Sequence, residues 1–189
     1  DSLSEFSFHV SGPLMMVYWL RDLKFDYIEL AILINVSQVL GLFSMRYWGK
    51  RIDNNGSYST IRFTSFCIGI FPMFWVGIYY LPNELILAGS IIIASLASLM
   101  FSGRALALDN RLYEHMKNKK MIKVTSKRFF FRGLSIFIGG LIGGLLTRNE
   151  SSLSNYIELD TVIHAVMGFS TVLRLGVWSY FLIDKRSEI

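Results

Sequence analysis

The sequence predicts an all-α membrane protein with six transmembrane helices, and three observations predict it. First, six apolar runs divide the 189 residues, at 6–20, 27–45, 63–81, 85–108, 129–147 and 161–183. Second, the stretches 63–81 and 85–103 carry no charged side chain over nineteen residues each. At a rise of about 1.5 Å per residue, roughly twenty residues cross a hydrocarbon core of about 30 Å. Third, the nineteen Lys and Arg residues are sorted into alternate gaps. Thirteen fall in the second gap, the fourth gap and the C-terminal tail; three (Arg21, Lys24, Arg148) fall in the other gaps. Short cationic loops stay on the cytoplasmic side, so the alternation orients the chain as well as identifying it. Both termini are expected in the cytoplasm, with cytoplasmic loops at about 48–61 and 110–127.

The first run carries Gly12-Pro13, which removes a backbone donor and kinks a helix. A short outer turn at 21–26 follows. Asn35 and Gln38 in the second run are three residues apart and therefore share a helix face. A polar face at membrane depth looks at protein or water, so this pair heads the list of candidate solute contacts. Interhelical bonding within the bundle is the competing role. The third run is rich in aromatic residues and ends at Tyr79, Tyr80 and Pro82, an outer interface belt. A tight hairpin there leads into the fourth run, whose Ala88, Ser95, Ser98 and Ser102 make a small-residue face.

The fifth run contains Gly139, Gly140, Gly143 and Gly144, two overlapping small-xxx-small pairs that admit another backbone at close range. The sixth holds His164 and Arg174; the latter is expected to snorkel or to find a carbonyl or acidic partner. Arg104 and Arg132 read as interface residues. The six helices are expected to form one bundle over residues 1–189.

Enzyme classes find no support in the motifs. There is no Gly-x-Ser-x-Gly elbow, no HExxH and no phosphate-cradling Gly-x-x-x-x-Gly-Lys. His9, His115 and His164 lack metal-ligand spacing, and Cys67 is the single cysteine, so neither a metal nor a cofactor is expected. The pI near 9.4 does not point to nucleic acid, because the cations sit where topology and anionic headgroups place them.

The second gap reads Trp48-Gly49-Lys50-Arg51-Ile52-Asp53-Asn54-Asn55-Gly56, followed by Arg62. Placed between two spans on the positive side, Gly49-x-x-x-Asp53-x-x-Gly56 resembles the signature loop of major facilitator superfamily transporters. That loop joins helices 2 and 3 of the family and recurs in degraded form between helices 8 and 9. The surroundings are similar to the second version. Residues 6–48 look like helices 7 and 8 of bacterial members, and 137–144 is similar to their glycine-rich helix 11. Asn54 stands where a cation is usual, and Ser57-Tyr58 where a basic pair is usual, which weakens any gating role for the loop.

The resemblance implies the C-terminal six-helix half of a secondary transporter in a bacterial inner membrane, moving a small solute by alternating access. Its partner is then a missing N-terminal half, which the start at Asp1 without Met also suggests. Such halves are built from inverted three-helix repeats; runs one, two, four and five would line the cavity, and runs three and six would face lipid. Asn35, Gln38, His9 and Ser98 become candidate cavity residues. Asp53, Arg62, Asp109 and Arg111 become a candidate cytoplasmic charge network. No acidic residue is assigned to mid-membrane depth. The alternative is a non-transporting six-helix scaffold or receptor-like subunit, homodimeric through the Gly139–Gly144 face.

Overall fold

The computed structural model describes residues 2–114, 118–148 and 159–183. Helices are the only regular structure among them: α1 (Ser2–Val17), α2 (Tyr27–Asn55), α3 (Ser57–Ile78), α4 (Asn83–Glu114), α5 (Asn118–Arg148) and α6 (Leu159–Ile183). Four segments are long and apolar enough to cross a membrane, namely α2, α3, α4 and Ile122–Leu145 of α5. Helix α1 has 16 residues before the helical turn that continues it, and α6 is described only in part. Among the described residues length and composition carry four spans, and the expected count of six is neither reached nor excluded.

Pro13 sits inside α1, and five residues later the helix widens into a π-helical turn, Tyr18–Asp22. The Leu23 amide donates to the Tyr18 carbonyl at 3.0 Å, and Lys24 at φ 55° turns the chain. Asp26 then starts α2 through a reciprocal cap. Its carboxylate accepts from the Glu29 amide at 2.7 Å, and its own amide donates to the Glu29 carboxylate at 2.9 Å.

Helix α2 runs for 29 residues, about 43 Å, and so outlasts the hydrocarbon layer. The expected loop at 48–61 is therefore mostly helix. Trp48 and Ile52 stay buried against α4 while Asp53 and Asn54 meet water. The break is Gly56 alone, at φ 81° and ψ 157°, a conformation open to glycine. Its amide still reaches the Ile52 carbonyl at 2.8 Å, and α3 begins at the next residue. The expected loop at 110–127 is likewise helical to Glu114 and again from Asn118. The expected outer loop at 148–160 and the basic tail at 184–189 lie essentially outside the described residues.

Close packing selects small residues. A Cβ on Gly41 of α2 would overlap the Ser98 hydroxyl of α4, and one on Gly103 would overlap the Trp48 ring. A Cβ on Gly139 of α5 would sit 2.9 Å from the Phe6 carbonyl oxygen of α1, and one on Gly143 would overlap the Val10 carbonyl. Residue numbers rise together across both interfaces, so α2 runs parallel to α4 and α1 parallel to α5. Helix α3 runs antiparallel to α4 and to α6.

These contacts have an exchange symmetry. If α1, α2 and α3 are swapped for α4, α5 and α6, the α2–α4 contact becomes α5–α1, and α3–α4 becomes α6–α1. The α3–α6 contact maps onto itself. Two three-helix units of opposite direction thus pack around one centre. Helix α3, expected to face lipid, is the most buried of the four candidate spans. Its Thr60, Thr64, Ser65 and Gly69 are small enough to let α4 and α6 close over it.

Candidate functional site

A cavity of about 580 Å³ opens where the two three-helix units meet. Helix α1 contributes Ser11 and Met15, α2 contributes Ser37 and Gln38, and α4 contributes Ser98 and Ser102. The π-helical turn adds Trp19, α3 adds Phe71 and Trp75, and α6 adds Arg174. Trp19 and Trp75 pack at 5.4 Å between ring centroids, and the Tyr18 hydroxyl donates to the Trp75 carbonyl at 2.9 Å. The widened turn after Pro13 thereby fixes the outer wall of the cavity to α3.

Arg174 is held by neutral partners on three helices. Its Nε donates to Ser170 Oγ at 3.1 Å, one terminal nitrogen to the Ile68 carbonyl at 3.2 Å and the other to Ser11 Oγ at 2.9 Å. Ser170 in turn donates to the Ser7 carbonyl at 2.9 Å. The guanidinium lies 4.9 Å from the Phe8 ring. No carboxylate among the described residues is within ion-pair distance of it. Of the two partners expected for it, the carbonyl is there at Ile68, and hydroxyls and an aromatic face stand in place of an acid.

A second cavity of about 430 Å³ lies toward the N-terminal end of α1, lined by Glu5, His9, Arg104, Asp109, Arg128 and Arg132 among others. Glu5 is 6% exposed and Arg104 3%. One Glu5 oxygen is 3.7 Å from Arg104 and 3.5 Å from Arg132. Arg104 also donates to Ser65 Oγ at 3.3 Å and lies 5.0 Å from the Phe8 ring. Arg128 pairs with Asp109 at 3.0 Å. His9 contacts the Glu5 carbonyl through Nδ1 at 2.9 Å, with the Glu5 carboxylate 4.0 Å away.

The expected site residues divide between these places. Gln38 and Ser98 line the first cavity and His9 the second. Asn35 lines neither: it is exposed and donates to its own helix at the Ala31 carbonyl, 2.8 Å. A separation of three residues turns a side chain by about 60° around the helix, enough to carry Asn35 off the face that Gln38 occupies.

The expected charge network does not form as drawn. Asp109 pairs with Arg128, and Arg111 lies 4.8 Å over the Tyr58 ring. The Arg62 carbonyl accepts from Trp178 Nε1 at 3.1 Å. Asp53 is exposed and makes no ion pair among the described residues. A Cβ on Gly49 or Gly140 would meet nothing within 4 Å, and the same holds at Gly144. Among the described residues, Gly139 and Gly143 of the glycine quartet carry the close approach.

Three residues of weight were underrated or missed. Arg104 and Arg132, read as interface residues, converge on Glu5. Glu5 precedes the first apolar run, which hides it in the sequence; its position four residues before His9, on one helix face, is the available signal. Among the described residues no group of His, Cys, Asp and Glu could hold a metal ion. No protein-family model matches the chain, and no curated protein or solved structure matches it.

Proposed function

We propose that this bundle is the C-terminal half of a secondary transporter of the major facilitator kind, moving a small solute by alternating access across a bacterial inner membrane. The observation that carries the reading is the cavity where two inverted three-helix units meet, apolar-walled with a few polar groups among its lining. Inverted repeats place solute sites at their shared interface, near mid-membrane. Gln38, Ser98, Ser102 and Ser11 supply neutral hydrogen-bonding groups there, and the aromatic walls supply an apolar surface. A missing N-terminal half forms the opposite wall, and the bilayer covers the exposed apolar side chains of α2 and α5, such as Phe43 and Phe137.

The competing scaffold reading loses its dimer face in part, since Gly139 and Gly143 already meet α1 of the same chain. The decisive test is accessibility. A cysteine at Ser98, in a Cys67→Ala background, reacts with small water-soluble thiol reagents if the cavity is aqueous and cycles between the two sides. Protection from reagents on both sides, together with no solute uptake by proteoliposomes, favours the scaffold.

A further inference from the structure

We infer that the solute taken by this cavity is a small organic monoanion, a carboxylate on an apolar body, with Arg174 as its counter-charge. The inference rests on the transporter reading only in calling the ligand a solute; the anion site stands on its own geometry.

Arg174 is a cation inside the bundle whose hydrogen-bond partners (Ser11, Ser170 and the Ile68 carbonyl) are all neutral. Those bonds use three of the five N–H donors of a guanidinium and leave its charge unbalanced. A partly buried charge against an apolar wall is stabilised by an opposite charge, and the described residues offer Arg174 none. The neighbouring cation, Arg104, has Glu5; the two guanidinium groups share the Phe8 ring at 5.0 and 4.9 Å. The floor of the cavity is therefore positive.

A second residue of the lining has a donor to spare, which a charged or a neutral oxygen could meet. Trp19 lines the cavity, and its indole Nε1–H is buried without a hydrogen-bond partner among the described residues. An indole can only donate, so what it lacks is an acceptor such as an oxygen.

Charge counting and shape narrow the class. One unbalanced cation matches one negative charge; a dianion would leave an excess negative charge against an apolar wall. Met15, Phe71, Trp75, Ala94 and Ala97 make that wall, and about 580 Å³ accommodates an aromatic or short aliphatic acid.

The test uses the detergent-solubilised protein as the cell makes it, with tryptophan fluorescence as the readout because Trp19 and Trp75 line the site. The probes are acetate, hexanoate, benzoate and phenylacetate, set against benzamide and inorganic phosphate. Hexanoate, benzoate or phenylacetate should change the fluorescence saturably, and benzamide should bind at least about tenfold more weakly than benzoate. Arg174→Gln should abolish the preference for benzoate over benzamide, and Arg174→Lys should keep part of it. If Arg174→Gln does not fold, the wild-type comparison and Arg174→Lys decide. Equal binding of benzoate and benzamide, binding by none of the four carboxylates, or unaltered benzoate binding by folded Arg174→Gln overturns the inference. Arg174-dependent benzoate binding without uptake into proteoliposomes keeps the anion site and removes the transport reading. Uptake of neutral solutes that Arg174→Gln leaves unchanged does the reverse.

Discussion

Phe8 and Phe101 meet edge to face, 5.3 Å between ring centroids, and both rings line both cavities. The pair thus stands at the boundary between the Arg174 cavity and the Glu5 cavity. Phe8 lies one turn before Gly12-Pro13, where α1 has already lost a backbone hydrogen bond, so this segment can move at lower cost than an intact helix. Truncation should join the two chambers. In a Cys67→Ala background, a cysteine at Ser11 is expected to react faster with a cytoplasmic thiol reagent when Phe8→Ala is added. The truncation removes the edge contact, worth about 0.5–1.5 kcal/mol, together with ring burial and two guanidinium contacts. A melting curve in detergent therefore accompanies the labelling to show that the variant is folded. An unchanged labelling rate would mean that the rings do not form the barrier.

Glu5 is expected to act as the electrostatic keystone of the inner cavity. Removing its charge with Glu5→Gln leaves buried Arg104 beside Arg132 with no anion between them. Breaking a buried pair from one side costs about 3–5 kcal/mol, and the half-exposed Arg132 puts this case near the low end. A clear fall in melting temperature in detergent is the expected result. Adding Arg104→Gln should recover part of the loss, because the buried cation that Glu5 balanced is removed with it. Additive losses in the double variant would show that the two side chains do not act as a pair.

Much of this architecture was legible in the sequence, and the parts that were not share a physical cause. Uncharged runs and alternating cations reveal helices and their order because burial in lipid constrains every residue of a span. The close approach at Gly139 and Gly143 was visible for the same reason: a backbone contact leaves no room for a side chain. Periodicity places a residue on a helix but leaves open which neighbour closes over that face. Hence Gln38 reached the cavity and Asn35 did not. Apolar content also hides polar residues at the margins. Glu5 precedes the first run, yet α1 begins at Ser2 and draws it inside. The loop at 48–61 misled in the opposite sense, since charged residues such as Lys50 and Asp53 ride on a helix that continues into water.

The glycines of α5 should separate cleanly by substitution. Gly143→Ala forces a methyl group into the Val10 carbonyl, which belongs to the α1 backbone and cannot rotate away. Overpacking of this kind costs about 1–3 kcal/mol. Gly140→Ala meets nothing within 4 Å and should be neutral or stabilising by up to about 1 kcal/mol through helix propensity. Melting curves of the two variants in the same detergent check the difference. Equal effects would mean that α1 and α5 do not touch along this face.

The Gly56 junction makes a sharper prediction than its loop did. At φ 81° and ψ 157° the backbone occupies a region that side chains with a Cβ resist, although open space surrounds the position. Gly56→Ala should therefore cost about 1–3 kcal/mol through backbone strain alone, while Gly49→Ala, inside regular helix with no neighbour in reach, should cost nothing measurable. Asp53→Asn should likewise leave stability unchanged, given its exposure and lack of an ion pair among the described residues. Thermal melting of the three variants tests the ranking, and a Gly56→Ala protein as stable as the parent would show that the α2–α3 turn adopts another conformation.

Sidedness is the last and most general expectation. From the cation distribution the Gly56 turn is expected in the cytoplasm and the Pro82 turn outside. Ser57 is a poor reporter because it is buried, accepting from Asn110 at 2.9 Å and donating to Glu114 at 2.9 Å. Asn54 and Asn83 are exposed at the two turns and serve better. Single cysteines there, in a Cys67→Ala background, should react with a membrane-impermeant maleimide from opposite faces, Asn83→Cys from outside intact cells and Asn54→Cys only after the cytoplasmic face is opened. Helix α3 joins the two turns and is one of the four candidate spans, so labelling of both from one side would remove α3 from the membrane and with it the whole inverted arrangement.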